Sequence, residues 1–341
     1  MKQCGDPLIR TYLLVLLLIL PFLSSCAGAQ SSIDPAGPDA AHISTLLWLM
    51  VAISTAVFVM VMLSLAYAVF RGRHPDTVAN VAKMEWQMKR SVSIAIGATV
   101  IILFALLVTD VYTGRALTSK REVDALKIDV TGHQWWWEVM YEDPMPARMM
   151  KTANEIHVPT GQLIKLKLAS HDVIHSFWAP NFAGKKDLIP GHETTLFLQA
   201  NRPGVFRGQC AEFCGHQHAH MAFDVIVQTP DEFAAWYEQQ LQPAPTPLED
   251  TQKRGQRVFL TSRCVMCHAI AGTSASATAG PDLTHVGSRR TIAAGTLPNT
   301  PEHLENWVRD SQSVKPGNKM PRIELSEEDL HAVLAYLETL K

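Results

Sequence analysis

The chain has 341 residues, of which 47% are hydrophobic and 18% charged, and its formal net charge is -2. That length accommodates two or three folded units and that apolar fraction accommodates membrane spans, while the near-neutral balance excludes a basic surface for nucleic acid. Its six cysteines do not read as a disulfide framework, because each finds a separate role along the chain.

Lys2 and Arg10 flank the start of an apolar run from Tyr12 to Leu20, which is followed by Leu23-Ser24-Ser25-Cys26. This is the pattern of a lipoprotein-type signal peptide over residues 1–25, with Cys26 as the lipidated residue and Cys4 lost on cleavage. Cleavage near Ala27-Gly28-Ala29, which would remove Cys26 as well, is the alternative.

No charge and no proline interrupt Ile43 to Phe70, and no charge interrupts Ser91 to Thr109. Each run matches the thickness of a hydrocarbon core, predicting a transmembrane helical hairpin over residues 43–112. The connecting loop carries Arg71, Arg73, Lys83, Lys89 and Arg90 against Asp76 and Glu85, which assigns it to the cytoplasmic side. Everything after Asp110 is then expected on the periplasmic, extracytoplasmic side of a bacterial inner membrane.

Residues 120–230 change character. Alternation in Ile164-Lys-Leu166-Lys-Leu168, Thr195-Leu-Phe197-Leu and Phe223-Asp-Val225-Ile-Val227 predicts short strands, separated by Pro159-Thr-Gly161, Pro190-Gly191 and Pro203-Gly204. The expected architecture is an antiparallel sandwich or barrel.

Within this region lies Cys210-Ala-Glu-Phe-Cys214-Gly-His-Gln-His218-Ala-His-Met221. Two thiolates, an imidazole and a thioether form a soft donor set that selects copper over magnesium or calcium. Two bridging sulfurs can hold a pair of copper ions, with His175 and His218 supplying one nitrogen each. Met221 and the backbone carbonyl of Glu212 then complete the two coordination spheres. A disulfide is the alternative for an exported Cys-x-x-x-Cys, and His218 with Met221 argues against it. His216 and His220, like His157, His171 and His192, are read as solvated histidines.

Gln242-Pro-Ala-Pro-Thr-Pro247 predicts a semi-extended linker over residues 240–249. Residues 250–341 read as helical, with helix starts at Thr300-Pro301-Glu302 and at Ser326-Glu-Glu-Asp329, the last helix running through Leu340. Cys264-Val-Met-Cys267-His268 offers two thiols for covalent haem attachment and an imidazole as axial iron ligand. Zinc would require a second Cys/His pair, yet no cysteine follows Cys267; a dithiol redox pair is the other reading. Met320, the only methionine after the motif, is the expected second axial ligand, ahead of His285, His303 and His331.

Gly132-His-Gln-Trp-Trp-Trp137, Asp172-Val-Ile-His-Ser-Phe, Pro190-Gly191 and the run from Pro203 through Cys214-Gly resemble cytochrome c oxidase subunit II over roughly residues 40–230. The resemblance implies an all-β cupredoxin-like Greek-key sandwich and a binuclear CuA centre on His175, Cys210, Glu212, Cys214, His218 and Met221. It also implies a magnesium ion shared with subunit I through the Glu212 side chain, and Trp135 as the residue that receives electrons from cytochrome c. Trp136 and Trp137 are equally well read as aromatic core. Gly255-x-x-x-Phe259, Tyr336-Leu337 and Gly280-Pro-Asp-Leu-Thr284 resemble an all-α class I cytochrome c domain, a fusion found in caa-type oxidases. Two departures are His192, where the family commonly has arginine, and the unusual segment around Glu85, so a proton-uptake role is not carried over to that glutamate.

The reading is a multidomain membrane protein with a two-helix hairpin, a cupredoxin-like sandwich and a cytochrome c domain. Such a subunit takes electrons from cytochrome c or another respiratory donor through haem c to CuA, and on to haem a of subunit I, where oxygen is reduced. Its expected partners are subunits I and III and membrane lipid. A nitric oxide reductase subunit and a membrane-anchored copper-delivery protein are the alternatives.

Overall fold

In the computed structural model the described residues are 28–71, 78–118 and 124–341. The signal segment with Cys26, and Arg73 and Asp76, lie outside them. Two compact units are present, residues 41–121 and the remainder of the chain.

The first unit is built on α1 (Pro38–Phe70) and α2 (Val78–Thr118). Phe58, Leu63, Ile101 and Phe104 are all exposed on them, as lipid-facing side chains would be. Segments Pro38–Phe70 and Lys83–Leu117 are each long and apolar enough to cross a membrane. The helices exceed the apolar runs that announce them. Lys83 to Arg90, read as part of the connecting loop, lies inside α2, where Glu85 pairs with Lys89 one turn later at 2.7 Å. No glycine or proline separates these residues from the apolar run, so the helix continues through them.

The second unit holds two five-stranded sheets and a helical portion. One sheet has the order β3 (Met150–Ala153), β2 (Trp136–Tyr141), β1 (Leu126–His133), β5 (Leu163–Ser170), β8 (Thr194–Gln199). The other runs β4 (Glu155–Pro159), β10 (Ala222–Gln228), β9 (Gly204–Cys210), β6 (His175–Trp178), β7 (Lys186–Leu188). Alternate side chains Ile164, Leu166 and Leu168 of β5 are fully buried, facing Trp137, Phe177 and Phe223 in one core. The sandwich is mixed, not purely antiparallel: β1 pairs parallel with β5, and β10 parallel with β4. Alternation reports which face of a strand is buried but not which way its neighbour runs.

Helix α3 (Pro230–Gln240) follows β10 and was not anticipated. Thr229 and Glu232 form a reciprocal capping box with Pro230 at the first turn, and Phe233, Trp236 and Tyr237 pack on the sandwich core. Gln242 to Pro247 has no regular structure, but Ala244 donates its amide to Ala271 O at 3.0 Å, so the proline-rich stretch is partly tied down.

The helical portion comprises α4 (Asp250–Thr261), the short β11 (Thr291–Ile292) and β12 (Leu297–Pro298), α5 (Pro301–Arg309), α6 (Ser311–Val314) and α7 (Glu327–Leu337). Thr300 and Ser326 cap α5 and α7 by accepting from the amides of His303 and Asp329. Helix α7 ends at Leu337, three residues before the expected Leu340. Helices α4 and α7 cross at Gly255, where a Cβ would stand 1.9 Å from Ala332 O, and Phe259 meets Tyr336 edge-on at 6.3 Å. Glycine is required there because two backbones touch.

Candidate metal and haem centres

Strand β9 ends at Cys210, whose amide donates to Met221 O at 2.9 Å, so the ligand loop is closed by a hydrogen bond between its two ends. Strand β6 lies beside β9, with Phe177 opposite Cys210 and the Ala211 amide donating to Ser176 O. That pairing delivers His175, 35 residues upstream, against Cys210. Gly132 on β1 leaves the space: a Cβ there would approach His175 Cδ2 to 2.8 Å.

The Cys210 and Cys214 sulfurs are 3.7 Å apart and both are free thiols, well beyond disulfide bonding distance. Cys210 Sγ lies 3.9 Å from His175 Nδ1 and 3.3 Å from the carbonyl oxygen of Glu212. Cys214 Sγ lies 3.6 Å from His218 Nδ1 and 3.8 Å from Met221 Sδ. The ligand atoms of His175, Cys210 and Cys214 all fall within 4.8 Å of one another, and all three residues are buried. The donors therefore divide into one set around each sulfur, a soft N/S/O shell suited to a dithiolate-bridged copper pair.

The pairing of the sulfurs holds the Cys210 thiol down to about 3 against the opposing effect of burial, and pushes Cys214 up, so the pair shares one proton that a metal would replace. His175 Nε2 contacts Asp172 Oδ1 at 2.9 Å, which directs Nδ1 toward the sulfurs. Burial alone would raise the Asp172 carboxyl. Donation from His175, from the Gln134 and Val173 amides and from Lys319 instead brings it down to about 2.

The tryptophan cluster divides. Trp137 is fully buried and packs against His175, Phe177 and Phe223, a core residue that also supports the ligand ring. Trp136 stacks on His133 at 4.4 Å. Trp135, 8% exposed, donates its indole N–H to Cys214 O at 2.9 Å, and the Gln134 side chain donates to the same oxygen at 2.8 Å. Asp172, Gln134 and Lys315 are site neighbours that reasoning from sequence missed. Only Asp172, three residues before His175, left a local signal. The Glu212 side chain is half-buried; His216, His220, His171 and His192 are exposed. His157 is not solvated: it is buried in β4 and stacks on Trp236 at 3.9 Å, because α3 covers it.

In the helical portion Cys264 is buried and Cys267 half-buried, both free. Burial pushes the Cys264 thiol up. His268 pairs Nδ1 with Pro281 O at 2.8 Å, leaving Nε2 for an axial bond, and burial pushes the imidazole down, toward the neutral form a metal needs. Met320 is half-buried, its carbonyl accepting from Ser311 Oγ and Gln312 Nε2 and its amide donating to Asn318 Oδ1. His285 is spoken for by the carbonyls of Gln240 and Gln242, His303 by Thr300, and His331 is exposed. Arg289 Nε and Thr291 Oγ1 are buried without a hydrogen-bond partner among the described residues, as expected where an acceptor-bearing group such as a haem carboxylate belongs.

The helical portion touches the sandwich around the ligand loop. Ala222 donates its amide to Ala294 O at 2.9 Å, Arg207 reaches Gly295 O at 3.2 Å, and the Gln217 side chain donates to Pro316 O at 2.7 Å. Lys319 pairs with Asp172 at 3.2 Å, and Lys315 donates to Trp135 O at 2.8 Å. Burial pushes the Lys315 amine down to about 7.

Residues 143–229 match the family model described as Cytochrome C oxidase subunit II, periplasmic domain, and residues 252–341 match the one described as Cytochrome c. The chain is 36% identical over 333 residues to a protein from Alkalihalophilus pseudofirmus named cytochrome c oxidase subunit 2, covering 94% of each. A protein of the same name from Bacillus subtilis is 32% identical over 351 residues, covering 96% of this chain and 97% of that one. The solved periplasmic domain of subunit II of cytochrome oxidase from Bradyrhizobium japonicum aligns at 34% identity over 34% of this chain and 92% of that chain, with a TM-score of 0.32.

Proposed function

Since the chain belongs to the cytochrome c oxidase subunit 2 family, we propose that it is the electron-input subunit of a bacterial haem-copper oxidase of caa type, docking to subunit I and, with it, subunit III. When bound, a c-type haem and a binuclear copper pair supply one-electron carriers between a respiratory donor and haem a of subunit I, where oxygen is reduced.

The observation that carries this reading is the donor cluster, with its sulfurs 3.7 Å apart and a histidine on each. Cys210 and Cys214, with His175 and His218, would hold the copper pair, and Met221 and the Glu212 carbonyl would complete its donor set. Asp172 holds the His175 tautomer and ring plane, and β6, β9 and Trp137 keep the shell dry and rigid, which limits reorganisation on electron transfer. Cys264 and Cys267 would attach a c-type haem, His268 and Met320 would hold its iron, and Arg289 with Thr291 would receive its carboxylates. The Glu212 side chain is assigned to magnesium at the subunit I surface. The two apolar helices anchor the chain, with both redox portions extracytoplasmic and Cys26 as a lipid attachment point.

Low-temperature EPR of the copper-loaded chain tests this directly. The expected spectrum is a multiline hyperfine pattern from an unpaired electron shared over both coppers; a mononuclear pattern with readily chelated copper would favour a delivery protein instead. Cys210→Ser removes that signal and the near-infrared copper band while the covalent haem persists. Met320→Ala lowers the haem midpoint potential and spares copper, because thioether ligation raises it.

A further inference from the structure

A buried lysine next to a redox centre is costly unless it is bonded and useful. Lys315 is 2% exposed. Its ammonium donates to Trp135 O at 2.8 Å and to Ala293 O at 3.0 Å, both neutral carbonyls. Trp135 in turn donates its indole N–H to Cys214 O at 2.9 Å, so a single hydrogen-bonded sequence joins the Lys315 segment to a sulfur-bearing residue of the copper loop. The same segment leads within five residues to Met320, the expected haem ligand. Its other contacts, Gln217 to Pro316 and Lys319 to Asp172, also fall on neighbours of copper donors. Trp135 itself keeps only 8% of its surface. A soluble redox protein docking on that tryptophan would need on the order of several hundred Å² of accessible surface around it.

We propose that Lys315 is a positioning residue that seats the haem-bearing segment on Trp135 and thereby closes the copper loop to external donors. Trp135 then serves this chain's own cytochrome portion, and a soluble donor meets the haem side only. The inference rests on the electron-input reading given above.

The test uses the full-length chain in its oxidase complex, with Lys315→Met, which keeps the length and loses the donors, and Lys315→Arg, which keeps the charge. Hydrogen exchange read by mass spectrometry should show faster uptake at residues 134–137 and 315–320 in Lys315→Met, with Lys315→Arg intermediate. Unchanged uptake in Lys315→Met overturns the seating. For access, reduction of copper and of haem c by a soluble reduced class I cytochrome c is followed in the haem-bearing chain, copper in the near infrared. With Lys315 in place copper should be reduced only after haem c, whereas in Lys315→Met copper reduction should gain a phase that precedes it, faster by about tenfold or more. Copper reduced ahead of haem c with Lys315 in place overturns the closure. Failure of the electron-input reading would show separately, as loss of the binuclear EPR signal in the unsubstituted chain.

Discussion

The copper loop and the haem segment are redox sites assembled on different plans. In the loop every donor is already in place: the sulfurs, both imidazoles, the thioether and a carbonyl converge, and Asp172, Trp135 and Gln134 hold the assembly with hydrogen bonds. In the haem segment polar atoms of Arg289 and Thr291 lack partners among the described residues, and the thiols of Cys264 and Cys267 stand free. A β-sandwich can fix a small ion by preorganising its ligands on strand ends, whereas a small helical portion surrounds a large group that becomes part of its core. The first site is bound by a scaffold, and the second completes one.

The largest expected effect strikes the helical side alone. Gly255→Val places a branched side chain against the Ala332 carbonyl, and it should destabilise the α4–α7 crossing by about 3 kcal/mol or more. Loss of covalent haem incorporation with an unaltered copper EPR spectrum would confirm that the two sites fail independently; loss of both signals would break the contrast.

Next in size is Asp172→Asn, which keeps the shape of the side chain and removes the charge behind His175. Copper affinity should fall by roughly 10- to 100-fold, read by competition with a chelator, with the haem spectrum unaffected. Affinity equal to the parent chain would mean that strand pairing alone orients His175.

The smallest effect is a pH dependence on the sandwich side. Burial, reinforced by His171, lowers His133 from 6.5 to about 4. Between those values the unfolded chain binds a proton that the folded chain does not, so stability rises with pH across the window. The contribution is complete above about 6.5 and declines as pH falls toward about 4. Denaturant titrations of the parent chain and His133→Gln across this range should converge at low pH and separate at high pH.

Five of the six proposed copper donors lie within twelve consecutive residues, and for that reason the cluster stood out before any fold was known. His175 stands apart from them at the start of β6, and the pairing of β6 with β9 that brings it to Cys210 leaves no local signal. What escaped was tertiary in origin. The parallel pairings of β1 with β5 and β4 with β10 leave no trace in alternation, and the burial of His157 depends on α3 arriving from seventy-odd residues away. Helix α3 itself was readable in Thr229-Pro-Asp-Glu232, a capping box overshadowed by the proline-rich stretch that follows. Lys315 left no local signal, since nothing in sequence distinguishes a lysine bound for a carbonyl from one bound for water.

At the tip between β11 and β12, Ala293, Ala294 and Gly295 stand in succession at φ 53, 58 and 71. Two alanines in that region cost about 1–3 kcal/mol each. The tip meets the Ala222 amide and Arg207 beside the copper loop. A cytochrome transplanted from another protein would bring the haem but not this knuckle, leaving the amide after Met221 without its acceptor. The fusion is therefore a fitted joint, and chimaeras built by swapping the haem-bearing half should be cut so that residues 291–298 stay with the sandwich they fit.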